Sequence, residues 1–359
     1  MLIKKIETLT HSKSSCVYYN ELRITYLKNK LENYLAKHKN IYNYKFAIDT
    51  LFPQELSFNN KLEGYNDDLN LIIKKVKDRN YPKQEEDRIL NLYKGYRYIL
   101  EKKEITKENI KELYNILSEG FLDNYSQENM GKYYRKKEVY IMNGRLDIDK
   151  GIPKEEIDTY MNNYLNYINE ENESSISDEF IKSQIMHYYL VYIHPYFDVN
   201  GRTSRTIALW YLLNKKAYPY LLFNRAIYFQ RKAYKKAIIK ANKTGNVTYF
   251  LEFTLKGILN ELQKVEQINN IKETIFLTEQ EQEILEYFLS LEKPTIKELA
   301  LAYNGYDPHK ESNKAIDIIY TLIEKGVLEL IEVNKTTILS LSEFAKIPQK
   351  IKKQYKKML

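Results

Sequence analysis

The stretch HPYFDVNGRTSR, residues 194–205, lies between two strongly apolar segments and decides how the rest of the chain is interpreted. It opens on a histidine at the end of one predicted helix, has an acid four residues later, and turns through Asn200-Gly201 into a second predicted helix. Arg202 and Arg205 are three residues apart and therefore share a helix face. Helix N-terminal amides favour anions, and guanidinium groups suit phosphate oxygens. The stretch predicts a phosphate-binding loop without a Walker sequence.

Two further residues of this stretch bear chemistry. His194 could take a proton from an attacking hydroxyl, and Asp198 could hold Mg²⁺ against phosphates. Each residue also has an ordinary structural interpretation, since a histidine after an apolar helix is usually structural and helix arginines are usually solvated. Their joint spacing is what favours nucleotide chemistry.

The stretch resembles the signature of the Fic family, His-x-Phe-x-Asp/Glu-Gly-Asn-Gly-Arg-x-x-Arg. Six of its eight specified positions match. Tyr196 replaces the Phe, a mild change at a packing position, and Val199 replaces the first Gly. If that Gly has a positive φ or lets the backbone approach phosphate closely, Val199 is strained. The likeness extends over roughly residues 59–250, including a predicted hairpin before the motif and His187 in the preceding helix.

The resemblance implies transfer of AMP from ATP to a hydroxyl of a target protein, with Mg²⁺ required. His194 would be the general base and Asp198 the metal ligand. A predicted hairpin at about 138–150 would be the flap that pairs with the target backbone as an added strand. The implied nucleotide contacts are the first turn of the second helix, two adenosine contacts and two flap residues: Asp198, Val199, Asn200, Gly201, Arg202, Thr203, Arg205, Tyr234, Asn242, Ile141 and Met142.

A second motif, NNKLEG at residues 59–64, resembles the inhibitory sequence Ser/Thr-x-x-x-Glu-Gly/Asn of one class of the family. Glu63 would pair with Arg205 and compete with the γ-phosphate for the same guanidinium. Asn59 stands where Ser or Thr is expected and is predicted to hydrogen-bond at a helix start.

Three functions stay open at this point. The first is an autoinhibited protein adenylyltransferase. The second is a de-AMPylase, in which Glu63 positions water to remove AMP. The third is a nucleotide-binding or DNA-binding regulator whose catalysis is impaired by Val199. Transfer of a γ-phosphate, or use of UTP or GTP, also fits a loop that recognises phosphates better than bases.

Helical periodicity predicts a mainly α fold, a Fic-type helical core with a β-hairpin flap, followed by a C-terminal winged-helix (α+β) domain. We predict an N-terminal helical region at 1–100, which contains the candidate inhibitory helix 59–64, and a catalytic core at 101–264. A winged-helix-like domain at 275–345 and a basic tail at 346–359 follow. Within them we predict a hairpin at 136–148 and two strands at 327–333 and 336–341. The predicted helices are 20–48, 67–101, 106–118, 153–168, 178–193, 202–214, 226–241, 247–264, 278–290, 295–303 and 309–325.

The C-terminal module has three predicted helices and a hairpin, a pattern that usually suggests DNA binding. Between residues 275 and 345 there are 6 Lys and no Arg against 13 Asp plus Glu, a net charge near −7. Because affinity for DNA rests mainly on neutralising phosphates, we favour protein docking or a homodimer over DNA.

The composition limits which partners, metal sites and cellular locations are possible for this protein. The chain has 359 residues and a formal net charge of +8, which permits nucleic acid without arguing for it. The single Cys16 excludes an internal disulfide framework and a multi-cysteine zinc site. No stretch approaches the roughly 20 apolar residues of a membrane span, and the N-terminus has no secretory apolar region. We therefore expect a cytoplasmic protein with no membrane partner.

Overall fold

The computed structural model describes residues 2–37, 44, 48, 51–63, 86–120, 122–142, 148–171, 174–272, 275–289, 291, 294–303, 312–333 and 336–342. The chain divides into two compact units, Met1–Leu259 and Asn260–Leu359. The predicted core boundary at residue 264 and the observed division after residue 259 differ by five positions. The structure is mainly helical, as predicted.

The first unit opens with an antiparallel hairpin of β1 (Ile3–His11) and β2 (Ser15–Asn20). The prediction of a helical region from residue 1 is therefore wrong at its start. The side chains of Val17 and Tyr19 are buried while Tyr18 between them is half-buried, the alternation of a strand with one covered face. Tyr18 also forms a parallel bridge to Asn246. The hairpin is thus completed by residues more than 220 positions away.

The other elements of this unit are mostly helices. In chain order they are α1 (Glu21–Lys37), α2 (Phe52–Leu62), α3 (Glu86–Glu101), α4 (Lys107–Ser118), α5 (Asn124–Asn129), β3 (Tyr140–Met142), β4 (Ile148–Lys150), α6 (Ile157–Asn169), α7 (Ile176–Ile193), α8 (Asn200–Asn214), a 3₁₀ helix (Tyr218–Leu222), α9 (Phe223–Phe229) and α10 (Arg231–Thr244). The next helix, α11 (Thr248–Lys272), begins in the first unit and ends in the second.

Helices α7 and α8 form the centre of the unit. Both are apolar around most of their circumference, which is typical of helices buried on all sides. Tyr188 on α7 and Trp210 on α8 are fully buried, and the Trp210 indole N–H donates to the carbonyl of Lys102 at 2.6 Å. Ser175 begins α7 with a capping box completed by Asp178. Residues 194–199 join the two helices.

Several predicted boundaries are wrong. Helix α2 begins at Phe52, not at Asn59 or Asn60, so both asparagines lie inside the helix. The single helix predicted over 226–241 is two helices, α9 and α10, broken at Gln230. Strands β3 and β4 pair antiparallel with Ile141 opposite Asp149, and the predicted Asn143-Gly144 turn lies outside the described residues. The start of the predicted helix 67–101 and the basic tail 346–359 also lie outside them.

The second unit contains α12 (Glu279–Phe288), α13 (Ile296–Tyr303), α14 (Ser312–Glu324) and the antiparallel pair β5 (Leu328–Val333) and β6 (Thr336–Leu341). Thr278 caps α12 with a capping box to Glu281, and Gly326 follows α14 with φ +66°, a conformation that favours glycine after a helix. Winged-helix character remains a prediction from this order of elements. Among the described helices of the chain, none has the length and apolarity needed to cross a membrane.

Candidate active site

The loop between α7 and α8 begins and ends on left-handed residues. His194 closes α7 with φ 53° and ψ 58°, and Val199 precedes α8 with φ 64° and ψ 9°. A β-branched residue rarely adopts this conformation. Val199 nevertheless has the positive φ that would suit a glycine, and its side chain is buried. The predicted strain at Val199 is therefore present, and the chain turns into α8 in spite of it.

Asn200 holds the loop closed with its side-chain amide. Its Oδ1 accepts the backbone N–H of Tyr196 at 3.1 Å, and its Nδ2 donates to the Tyr196 carbonyl at 2.9 Å. Both groups are buried, so these bonds fix the loop where no water could replace them. The Tyr196 ring itself stacks on Tyr114 with centroids 3.7 Å apart, the packing position expected from the sequence.

The first turn of α8 forms an anion cradle, by which we mean the backbone around Asn200 and Gly201. The first intrahelical bond runs from the Thr203 N–H to the Val199 carbonyl at 2.9 Å, so the amides of Asn200 and Gly201 have no acceptor within the helix. A Cβ added at Gly201 would lie 3.0 Å from Nη1 of Arg205. Glycine therefore lets the arginine lie directly over the cradle.

Thr203, one of the predicted nucleotide contacts, is bonded within the loop. Its side chain is fully buried, and its hydroxyl donates to the Val199 carbonyl at 2.8 Å while its amide binds the same oxygen. Thr203 therefore stabilises the start of α8, and its contact with a nucleotide stays a prediction.

Glu63, at the end of α2, lies over this cradle and pairs with its arginines. Arg205 Nη2 donates to Glu63 Oε1 at 2.5 Å, and Nε of Arg202 is 3.8 Å from Glu63 Oε2. Both arginines are about 4% exposed, whereas the Glu63 side chain is 29% exposed. Glu63 thus occupies the outer, solvent-facing side of two buried cations.

Asn59, one turn earlier on α2, makes a second contact with Arg205. The Arg205 Nε–H donates to Asn59 Oδ1 at 2.7 Å, and Asn59 Nδ2 donates to the Tyr96 hydroxyl at 3.0 Å. The expectation that Asn59 bonds locally at a helix start is wrong. Its two amide atoms join α2 to α8 on one side and to α3 on the other.

Tyr234 and His187 lie beside Arg205. The Tyr234 hydroxyl is 3.1 Å from Nε2 of His187, and the two rings are stacked. Burial, together with the positive charge of Arg205, lowers the pKa of His187 to about 3, and burial raises the pKa of Tyr234 to about 12. Both side chains are therefore neutral at pH 7. Asn242 is on the same helix as Tyr234, eight residues or about 12 Å further along.

His194 is held at the mouth of the loop by its own backbone and by Arg135. Its Nδ1 is 3.3 Å from the Val191 carbonyl, which favours a proton on Nδ1 and a lone pair on Nε2. Arg135 Nε donates to the His194 carbonyl at 2.9 Å, and the Arg135 amide donates to the Pro195 carbonyl at 3.0 Å. Arg135 was not predicted from the sequence, because nothing distinguishes it from the lysines that follow it.

The hairpin of β3 and β4, the predicted flap, ends beside His194. Gly151 directly follows β4, and a Cβ added there would lie 3.1 Å from Cβ of His194 and 2.7 Å from Nη2 of Arg135. A glycine is therefore needed for the close approach. Ile141 is half-buried in β3; the side chain of Met142 lies outside the described residues.

Asp198 is exposed in the loop, and its Oδ1 accepts the Val199 amide at 2.6 Å. In the described part of the chain, no group of three or more His, Cys, Asp and Glu side chains is placed to hold a metal ion. A metal at this loop would therefore have Asp198 as its protein ligand and would need most of its ligands from a nucleotide and from water, as Mg²⁺ commonly does.

The structure has a buried helix pair whose connecting loop begins at His194, and the second helix opens with the anion cradle and two arginines. This is the arrangement that the sequence motif implied. Residues 104–212 match the family model of the Fic/DOC family, so this part of the chain is similar to that family. The motif 194–205 lies inside the matched range, whereas Glu63 and Tyr234 lie outside it.

Relatives and solved structures agree with this assignment. The chain is 30% identical over 173 residues, 47% of its own length, to the protein adenylyltransferase Fic of Drosophila virilis, and spans about a third (32%) of that relative. A Fic family protein from Desulfovibrio desulfuricans G20 is similar in fold, with a TM-score of 0.55 and 15% identity over 90% of this chain and 95% of the other. Fic-1 from C. elegans has a TM-score of 0.51 at 16% identity, over 70% and 73% of the two chains.

Proposed function

We propose that this chain is a protein adenylyltransferase that transfers AMP from ATP to a hydroxyl of a target protein, and that Glu63 holds it inactive. The observation that carries the proposal is Arg205, a buried cation at the anion cradle that is bound by Glu63 at 2.5 Å.

The reaction is a displacement at the α-phosphorus. The target hydroxyl gives its proton to Nε2 of His194, and its oxygen forms a bond to the α-phosphorus as the bond to the bridging oxygen breaks. Pyrophosphate leaves with the electron pair of that bond. The Val191 carbonyl holds Nδ1–H and so keeps Nε2 as the basic nitrogen. The amides of Asn200 and Gly201 would stabilise the phosphate oxygens on which charge increases.

The loop also fits Mg²⁺. Asp198 is exposed beside the cradle, and one carboxylate suffices where phosphates and water supply the remaining oxygens. Bound there, Mg²⁺ would neutralise phosphate charge. The role of Asp198 is to hold the ion, while the Val199 amide, which binds Oδ1, orients the carboxylate.

Inhibition follows from competition for one guanidinium. Arg205 has a planar fork that binds a carboxylate or a phosphate, but not both in the same place. With Glu63 on Nη2 and Asn59 on Nε, the side that would meet the γ-phosphate is occupied. A bound ATP must therefore hold its phosphates in another geometry, or displace Glu63.

Val199 does not argue against activity. The loop turns with φ 64° at Val199 as it would with glycine, and Asn200 still closes it. We therefore favour a competent enzyme over a regulator that binds nucleotide without turnover. Removal of AMP by water oriented at Glu63 uses the same residues and is a distinct outcome of the test below.

The test compares labelling by α-³²P-ATP and Mg²⁺ in wild type, Glu63→Gly and Glu63→Gly/His194→Ala. We expect strong label on the protein only in Glu63→Gly, with weak label in wild type. Glu119→Gly is the matched control. Like Glu63, Glu119 is an acidic residue at the C-terminal end of a helix, but that helix is α4 and Glu119 pairs with Lys94. This control must label no more than wild type.

Two results would count against the proposal. Label that persists without His194 would remove the base from the mechanism. No label in any protein, together with loss of AMP from a pre-modified protein that requires Glu63, would make the chain a de-AMPylase.

We also propose that the target backbone adds to the flap of β3 and β4, since both are short strands of a two-stranded sheet and therefore have edges to offer. For the acidic region 275–345 we propose protein docking in preference to DNA binding, on the charge of that region alone.

A further inference from the structure

Glu55 is a fully buried carboxylate that the proposed reaction does not use. It lies in the first turn of α2, and both of its oxygens face the first turn of α9. The Asn224 amide donates to Oε1 at 3.0 Å and to Oε2 at 3.2 Å. Next to this contact, Arg225 Nη1 donates to Oε1 of Gln54 at 3.2 Å.

Glu55 shares a face of α2 with both residues that hold Arg205. Glu55, Asn59 and Glu63 are spaced at i, i+4 and i+8, so they lie one above another along the helix. Glu55 and Asn59 are each 0% exposed, and only Glu63, at the last position, reaches solvent. We call these three residues the α2 ladder.

The members of the ladder together bind three other helices of the unit. Glu55 binds α9, Asn59 binds α3 and α8, and Glu63 binds α8. Hydrophobic packing alone would let α2 slide or rotate, because it has no direction. Hydrogen bonds to a buried carboxylate do have a direction, and Glu55 supplies them at the end of α2 opposite Glu63.

We propose that Glu55 is the positioning residue of the inhibitory helix, fixing α2 against α9 so that Asn59 and Glu63 meet Arg205. This inference rests on the proposed function of Glu63. Glu55 acts on catalysis only through Glu63, and touches no reacting atom. While this anchor is intact, release of inhibition would have to take place at the Glu63 end of α2.

The test uses the full chain and two substitutions of different severity. Glu55→Met keeps the volume and removes both acceptor oxygens, leaving the Asn224 amide without its partner. Glu55→Gln keeps one acceptor. We expect labelling by α-³²P-ATP to rise about tenfold in Glu55→Met, the factor that about 1.4 kcal/mol supplies, and to stay below half of that rise in Glu55→Gln.

The double variant Glu55→Met/Glu63→Gly separates positioning from general loss of structure. If Glu55 acts through Glu63, the double variant labels as Glu63→Gly does, within about twofold, because no inhibition is left to release. Labelling far below Glu63→Gly would mean that Glu55 supports the site as a whole, and would overturn the proposal. So would wild-type labelling in Glu55→Met beside strong labelling in Glu63→Gly.

A second measurement does not depend on activity. Amide hydrogen exchange over residues 52–63 should become faster in Glu55→Met and not in Glu281→Met, which removes a buried carboxylate from the second unit. Unchanged exchange in Glu55→Met would overturn the anchoring role. If Glu63→Gly gives no label while exchange over α2 still increases, the proposed function fails and the anchoring role of Glu55 stands.

Discussion

Asn59 and Arg205 are joined by a buried hydrogen bond of 2.7 Å that uses Nε of the guanidinium and leaves Nη2 to Glu63. The arginine is therefore held at two of its three nitrogens by one helix. Its side chain has little freedom to turn toward a nucleotide while both bonds exist.

The first prediction concerns this second contact. Asn59→Leu keeps a similar volume but removes the acceptor, so labelling by α-³²P-ATP should rise about three- to tenfold, and less than in Glu63→Gly, which removes the charged partner. Asn91→Leu is the control, because Asn91 is equally buried but donates to the Glu119 carbonyl. Equal labelling of Asn59→Leu and wild type would reduce Asn59 to a packing residue.

The second prediction concerns backbone strain at Val199. Since its φ is 64°, Val199→Gly should be more stable than Val199→Ala by about 1 kcal/mol, although both lose the two γ-methyl groups and the glycine variant also loses Cβ. At Lys236, exposed on α10, the order should reverse, with Ala more stable than Gly by about 1 kcal/mol. Urea unfolding measures both pairs. Ala ahead of Gly at both positions would show that Val199 is not strained.

The third prediction separates the two roles considered for Thr203. Thr203→Val should lower the free energy of unfolding by about 1 kcal/mol, because the hydroxyl bond to the Val199 carbonyl is lost, and Thr203→Ser should keep that bond. In the Glu63→Gly background, calorimetry should show an unchanged affinity of Thr203→Val for ATP. A loss of tenfold or more would identify Thr203 as a nucleotide contact.

The fourth prediction is a pH dependence of stability from His187. The unfolded chain binds a proton at this residue near pH 6.5, whereas burial and Arg205 delay protonation in the folded chain to about pH 3. Between these values the unfolded state holds more protons, so stability falls as pH falls, by about 1.4 kcal/mol per pH unit.

The measurement is urea unfolding of wild type and His187→Gln from about pH 7 down to about pH 4. The variant should start less stable but lose less as the pH falls. Buried His11, whose pKa is lowered to about 4 by desolvation and by Lys13, contributes in the same direction, so His11→Gln should remove a second part of the slope. Identical slopes in wild type and His187→Gln would contradict the assigned burial.

The sequence was sufficient to predict structural features that depend on residues close together in the chain. The loop 194–205 was predicted correctly as a turn between two buried helices, since its Asn-Gly pair and flanking apolar residues are local signals. The pair of Glu63 and Arg205 followed from the family resemblance, and the structure contains it.

What the sequence did not predict depends on distant partners. The hairpin β1–β2 was predicted as part of a helical region. Tyr18 of this hairpin pairs with Asn246, which is distant in the chain, so the local sequence pattern does not indicate the strand. Arg135 supports His194 through backbone carbonyls. Because every residue has a backbone carbonyl, the amino-acid sequence does not indicate this contact. The direction of the Thr203 hydroxyl is set by the geometry of the first helical turn.

Glu63 precedes Arg205 by 142 positions in the chain. A ribosome adding roughly 5–20 residues per second makes α2 about 7 to 30 s before the arginine that it holds. The Glu63 carboxylate is therefore already present when the site of a newly made chain forms. Under the proposed function, inhibition is the default from synthesis onward, and activity is a state that the finished protein has to enter later.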